Sequence, residues 1–149
     1  MSRNSNKDLY FRFRERWNRL VNGSGNQSVL VAVSGGLDSM VCLHLFTRLR
    51  DETGLTIYAA HVNHGLRPEA KEDEALVQSV CARNGIPLDT RRIAEAPTPG
   101  ESLEDWARNQ RYALLELAAA GFQAQYIVTA HHANDQAETV LWRLQNGAG

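Results

Sequence analysis

Four short stretches of this chain hold residue types that do chemistry. The first is Ser34-Gly35-Gly36-Leu37-Asp38-Ser39, which follows the apolar, β-branched run Val29–Val33 and precedes a helical pattern. Strand, small-residue turn and helix start aim backbone N–H groups at an anion, and phosphate is the anion expected. Gly35 and Gly36 carry no Cβ, so the backbone can wrap a phosphate closely. Ser34 and Ser39 add hydroxyl donors. Asp38 would repel a phosphate, a conflict that a Mg²⁺ bridging the phosphates resolves. The turn lacks the lysine of the Gly-x-x-x-x-Gly-Lys-Ser/Thr loop and the three-glycine spacing of the dinucleotide fingerprint.

The second stretch is His61-Val62-Asn63-His64-Gly65-Leu66-Arg67, at the end of a predicted strand. No cysteine or third histidine is adjacent, which disfavours zinc and leaves contacts to substrate or nucleotide. In the third, Arg108 and Arg111 share a helix face beside Tyr112. A guanidinium there reaches a phosphate, or it pairs with Glu104 or Asp105 as an ordinary surface cation. The fourth is His131-His132-Ala133-Asn134-Asp135-Gln136-Ala137-Glu138-Thr139. Asp135 and Glu138 fall on the first turn of a predicted helix over roughly Asn134–Leu144, where carboxylates hold Mg²⁺, recognise an amine, or only complement the helix dipole.

Alternating elements must position these stretches. Strands are predicted at Val29–Val33, Thr56–Val62, Pro87–Ile93 and Gln125–Ala130. Between them, helices are predicted over Asp38–Leu49, from Pro68 to Asn84-Gly85, and from the Ser102/Asp105 capping pair to Ala120, with Gly121 as the stop. Strands alternating with helices imply right-handed βαβ units and a three-layer α/β fold with a mainly parallel, Rossmann-like sheet. Ligands of such sheets sit at the C-terminal strand ends, where the polar stretches fall. Ahead of this domain, expected at residues 29–149, lies an N-terminal segment, residues 1–28. It holds an amphipathic helix over Asp8–Val21, with Leu9, Phe13, Trp17 and Leu20 on one face and Arg12, Arg16 and Arg19 on another, then the breaker Asn22–Asn26.

Bulk composition narrows the class further. The chain has 149 residues, 43% hydrophobic and 22% charged, which suits one soluble globular domain. Net charge is −1, against a whole-surface nucleic-acid binder. Residues 1–21 nevertheless hold six Lys/Arg against two acids, so the basic helix is a candidate phosphate-contacting face. No run is long and apolar enough for a membrane span, and Met1–Asp8 has no apolar signal-peptide core. Cys42 and Cys81 form no Cys-x-x-Cys pair and fall in helical patterns as small buried hydrophobes. A cytoplasmic protein is expected.

Taken together, the four stretches resemble one family. Ser34–Ser39 looks like the loop of the PP-loop ATPases. The other three are similar, in order and spacing, to the catalytic domain of the bacterial tRNA(Ile)-lysidine synthetases, over about Val29 to Gly149. The resemblance implies an ATP- and Mg²⁺-dependent ligase that adenylates C2 of the wobble cytidine of tRNA(Ile), after which the amine of free lysine displaces AMP. It implies that Ser34, Gly35, Gly36, Leu37, Asp38 and Ser39 hold the pyrophosphate end of ATP and that Ala60, His61 and Val62 meet the adenine. Arg111, with Arg108, lies near the phosphates. Asp135 and Glu138 serve the metal or the lysine amine, Asp38 and Asp135 being the metal ligands. His64, Arg67, His131, His132 and Asn134 face substrate. A homodimer is left open.

Two positions depart from the family pattern: Asn134 stands where a second acid is usual, and Asn146 where an arginine is. The expectation is an N-terminal fragment or shortened member. Two alternatives stand beside it: a PP-loop tRNA thiolase, which needs suitably placed cysteines, and a non-catalytic ATP-binding module.

Overall fold

The structure, a computed structural model, describes residues 2–21, 27–63, 69–93, 97, 99–133 and 136–143, with side chains described within 9–130 of these. The element order is α1 (Ser2–Leu20), β1 (Ser28–Ala32), α2 (Leu37–Thr53), β2 (Thr56–Asn63), α3 (Ala70–Asn84), β3 (Leu88–Arg92), α4 (Leu103–Phe122), β4 (Tyr126–Ala133) and β5 (Gln136–Arg143). One sheet holds all five strands in the order β3-β2-β1-β4-β5. The first four are parallel and β5 runs antiparallel to β4. The mainly parallel α/β sheet expected from the alternating pattern is therefore present.

The sheet is covered on both faces. Val29, Val31, Ile57, Ala59 and Val128 pack against Phe46, Leu49 and Leu43 of α2 and Val77 and Cys81 of α3. On the opposite face Leu30, Ala60 and Ile127 pack against Leu115, Ala118 and Ala119 of α4. Burial on both faces explains why β1 reads as an unbroken apolar run rather than an alternating one. The crossovers through α2 and α4 lie on opposite sides, so the topological switch falls between β1 and β4, where a crevice must open at the C-terminal strand ends.

Helix α1 shares the first core. Its buried residues are Tyr10 and Trp17, joined by Val21 just past its end and with Phe13 packed beside them, whereas Leu9 and Leu20 are 39% and 49% exposed. The stripe is thus rotated from the expected one, which included Leu9 and Leu20. Aromatic area decides the rotation. Phe13 and Trp17 meet Phe46 edge to face at 4.8 and 5.2 Å, and Trp17 meets Tyr126 at 5.6 Å. The Tyr10 hydroxyl donates to Glu52 at 2.7 Å, and Arg48 lies 4.0 Å over the Tyr10 ring.

Two further boundaries differ from expectation. Helix α4 begins as expected, Ser102 Oγ accepting from the Asp105 N–H at 3.1 Å. It runs through Gly121, however, and ends at Gln123, whose φ is +60°. Phe122 stacks on Tyr58 at 4.4 Å, and that contact holds the extra turn. The expected final helix is replaced by strand β5, in register from Tyr126↔Arg143 to Ala133↔Gln136. Ala137, Val140 and Leu141 suit either period, and a short apolar run does not choose between them. The unpaired edge of β4 does, because its N–H and C=O groups require partners.

Candidate functional site

Backbone geometry builds the Ser34–Ser39 loop first. Gly35 has φ +92°, and a Cβ there would lie 2.7 Å from Asp73 Cβ on the first turn of α3. A side chain at 35 is thus excluded twice, by backbone conformation and by contact. Gly36 is the N-cap of α2 and supplies no side-chain cap, leaving the helix start to its backbone N–H groups and dipole.

The two serines knit the loop to itself. The Gly36 N–H donates to Ser34 Oγ at 3.2 Å, and Ser39 Oγ donates to the Gly36 carbonyl at 3.1 Å. The two hydroxyl oxygens are 3.0 Å apart. Ser39 has spent its single proton on Gly36, so Ser34 must be the donor between them. The Ser34 N–H also donates to Ser39 Oγ at 3.0 Å. A closed circuit results, with both hydroxyl protons committed inside the loop. The N–H groups of Ser34 and Gly36 are engaged on the serine oxygens as well, so the anion donors on offer are the loop's other backbone N–H groups, where the residue types had suggested the serine hydroxyls.

A cavity of about 350 Å³ opens beside this loop at the switch between β1 and β4. Of the expected site residues it brings together Ser34 and Ser39, then Ala60, His61 and Val62 at the end of β2, and Arg111 on α4. Arg111 reaches the cavity from the opposite layer, with its guanidinium carbon 5.5 Å from the Tyr112 ring centre. It makes no ion pair with a described residue, so the surface-pair reading fails for it. Arg108, one turn earlier, is exposed and off the cavity wall, as is Leu37 at 79% exposure. Asp38 is half-buried on the first turn of α2, also off the wall.

His61 is 3% exposed, and its Nδ1 lies 2.7 Å from the Val33 carbonyl oxygen. Its Nε2 is buried without a hydrogen-bond partner among the described residues.

The remaining expected residues fall elsewhere. His64, Arg67, Asn134 and Asp135 lie outside the described residues. His131 and His132 are in β4, and Glu138 is in β5 opposite His131. The helical face expected to align Asp135 with Glu138 is therefore absent at Glu138, which is a strand residue.

Among the polar wall residues, Asp73 and Asn63 were not expected site residues, although Asn63 belongs to the second stretch. Asp73 reads as a dipole-complementing acid, yet it lines the cavity against Gly35. Asn63 lines the cavity too, and its amide donates to Glu74 at 3.4 Å. The acid's place in the first turn of the helix after β2 was the available signal, since that turn faces the strand ends.

Cysteine chemistry has no support here. Cys42 and Cys81 are both buried, and burial pushes the Cys81 thiol up to about 11. Among the described residues no group of three or more His, Cys, Asp or Glu is arranged to hold a metal. No helix among them is long and apolar enough to cross a membrane.

The family described as PP-loop domain matches residues 9–149. A tRNA(Ile)-lysidine synthase from Coxiella burnetii is 40% identical over 126 residues, which is 85% of this chain and 28% of that protein. Similar enzymes from Azoarcus and Symbiobacterium thermophilum are each 44% identical, over 79% and 81% of this chain and 25% and 26% of theirs. The chain thus spans about a quarter of the length of these curated relatives. A solved U34-tRNA thiolase from Methanococcus maripaludis, with its 4Fe-4S cluster, aligns at TM-score 0.69 and 18% identity, covering 87% of this chain and 48% of that one. At that identity the likeness concerns the fold.

Proposed function

This chain belongs to the PP-loop domain family, and on that premise we propose that it is the nucleotide-binding part of a tRNA(Ile)-lysidine synthase. In this reading ATP adenylates C2 of the wobble cytidine of tRNA(Ile) with release of pyrophosphate. The ε-amine of free lysine then attacks C2 and releases AMP, in the cytoplasm. The observation that carries the reading is the pairing, across one cavity at the switch point, of the α2 N-terminus, which has no side-chain cap, with Arg111, a cation without a carboxylate partner among the described residues.

The residues take the following roles. The loop from Ser34 to Ser39 binds the pyrophosphate end of ATP through backbone N–H groups and the α2 dipole. Ala60, His61 and Val62 border the adenine. Arg111 neutralises charge that develops during transfer, and such positioned charge does most of the work in phosphoryl and nucleotidyl transfer. Arg108, exposed on the same helix, extends that positive side outward. Asp135 and Glu138 serve the lysine amine or the metal, and His64, Arg67, His131, His132 and Asn134 face the substrates.

A Mg²⁺ ion fits the donor set. It needs one or two carboxylates and takes its other ligands from water and phosphate oxygens, so no dedicated three-residue cage is required. Asp38, with Asp135, would hold it, and bound there it would offset the phosphate charge. Asp38→Ala is expected to abolish adenylation while thermal unfolding stays as in the wild type.

The thiolase alternative is disfavoured by its own chemistry, because both cysteines of the chain are buried and Cys81 is held as a thiol. The test is ATP binding by the chain, followed by AMP release on addition of tRNA(Ile) and lysine. Binding with lysine-dependent AMP release is expected. Binding without AMP release leaves an ATP-binding module, and absence of binding by folded protein defeats the nucleotide reading altogether.

A further inference from the structure

We propose that His61 is a positioning residue for the phosphate loop, its Nδ1–H fixing the Val33 carbonyl and thereby the point at which Ser34 leaves the sheet. The proposal deepens the ATP reading above and rests on it for the loop's ligand. Val33 follows the last residue of β1, and its N–H still donates to the Ala60 carbonyl at 2.8 Å. Its own carbonyl belongs to the place where the chain turns away into Ser34. His61, the next residue of β2, meets that carbonyl at 2.7 Å within the buried end of the sheet.

A carbonyl oxygen only accepts, so the ring proton resides on Nδ1. Nε2 is the atom left buried without a partner among the described residues. The opposite tautomer would place the hydrogen on Nε2, where no described residue accepts it, and would abandon Val33 as well. The ring is therefore anchored through one nitrogen, and the fold tolerates an unmatched second nitrogen to keep that anchor. What the anchor secures is the start of the serine circuit, because the Ser34 N–H and hydroxyl both reach Ser39. His61 thus acts on a bound phosphate through Val33 and Ser34, without touching it.

Two substitutions separate the nitrogens. The amide nitrogen of Asn stands as many bonds from Cα as Nδ1 does, and that of Gln stands further out, toward Nε2. Binding of ATP to the chain, by calorimetry, is expected to weaken about tenfold or more in His61→Ala, the scale of a buried carbonyl losing its donor. His61→Asn should recover most of that loss and His61→Gln little of it. Nitrogen NMR of the wild-type protein, labelled at histidine, should show a proton on His61 Nδ1, a readout that needs no variant to fold.

An Nε2–H tautomer would overturn the proposal, as would recovery by Gln in place of Asn. Wild-type affinity in His61→Ala would overturn it while leaving the ATP reading intact. If folded wild-type protein binds no ATP, that reading fails, and the tautomer alone still decides whether His61 holds Val33.

Discussion

Strand β1 and the turn that follows it lie in two unlike environments. Val29 and Val31 lie fully buried in a core that also holds Phe46, Trp17 and Tyr126, whose rings meet edge to face. A few residues on, past Val33, the chain enters a turn with a left-handed glycine and an uncapped helix start, and His61 of β2 stands against it with one nitrogen unmatched among the described residues. The first region spends its contacts on packing. The second keeps backbone donors and a cation available around a cavity. The difference teaches that stability and ligand capture divide between the packed strand and the turn after it, so mutations in the two regions should separate folding from binding.

The largest expected effect lies at the packed end. Phe46→Ala removes the ring that both Phe13 and Trp17 meet, and should cost about 3–5 kcal/mol in chemical unfolding. If such a variant unfolds like the wild type, the aromatic core is not where stability resides. Next is Gly35→Ala at the open end. Its φ of +92° and the 2.7 Å approach to Asp73 predict about 1–3 kcal/mol of strain and loss of ATP binding well beyond the loss of stability. Equal losses in both would blur the division.

Arg111→Ala should follow, lowering ATP affinity or AMP release by about 10- to 100-fold, the range for a charge-assisted contact, with unfolding unchanged. Arg111→Lys should recover only part, since an ammonium lacks the planar fork.

The smallest effect, about 1 kcal/mol, is expected for Tyr10→Phe at the α1–α2 junction. This one carries a pH signature. The Tyr10 hydrogen bond, then Arg14, holds the Glu52 carboxyl below its ordinary 4.5, so its contribution is present above that value and fades as pH falls through the lowered one. Burial, then the bond to Glu52, pushes the Tyr10 hydroxyl from 10.0 to about 12, so that contribution is complete below pH 10 and is lost between pH 10 and about 12. Unfolding of the variant followed across both ranges should lose the alkaline slope and keep only the part of the acid slope that Arg14 supplies. Persistence of both slopes in full would assign them to other groups.

How much was legible from residues alone follows the same division. The run Val29–Val33, the glycine turn and the helix after it were readable because each obeys a local rule: burial on both faces, a missing Cβ, an apolar period. Ser102 announced α4 for the same reason. The failures are tertiary. Tyr10 displaced Leu9 from the buried face of α1 because Phe46 and Glu52, on another helix, were waiting for the ring beside it and for its hydroxyl. Thr139 to Trp142 became a strand because β4 had an edge to fill. Asp73 looked like helix chemistry until α3 was seen to rest on Gly35. No single-residue property of the serines indicates that their protons are already taken.

That last feature bears on how such a loop changes over generations. Ser34 and Ser39 each complete the other's circuit, so replacing either strands a donor or an acceptor that its partner had matched. The first replacement carries most of the penalty and the second little more, a strongly non-additive pair. The two positions therefore behave as one inherited unit, to be kept together or abandoned together.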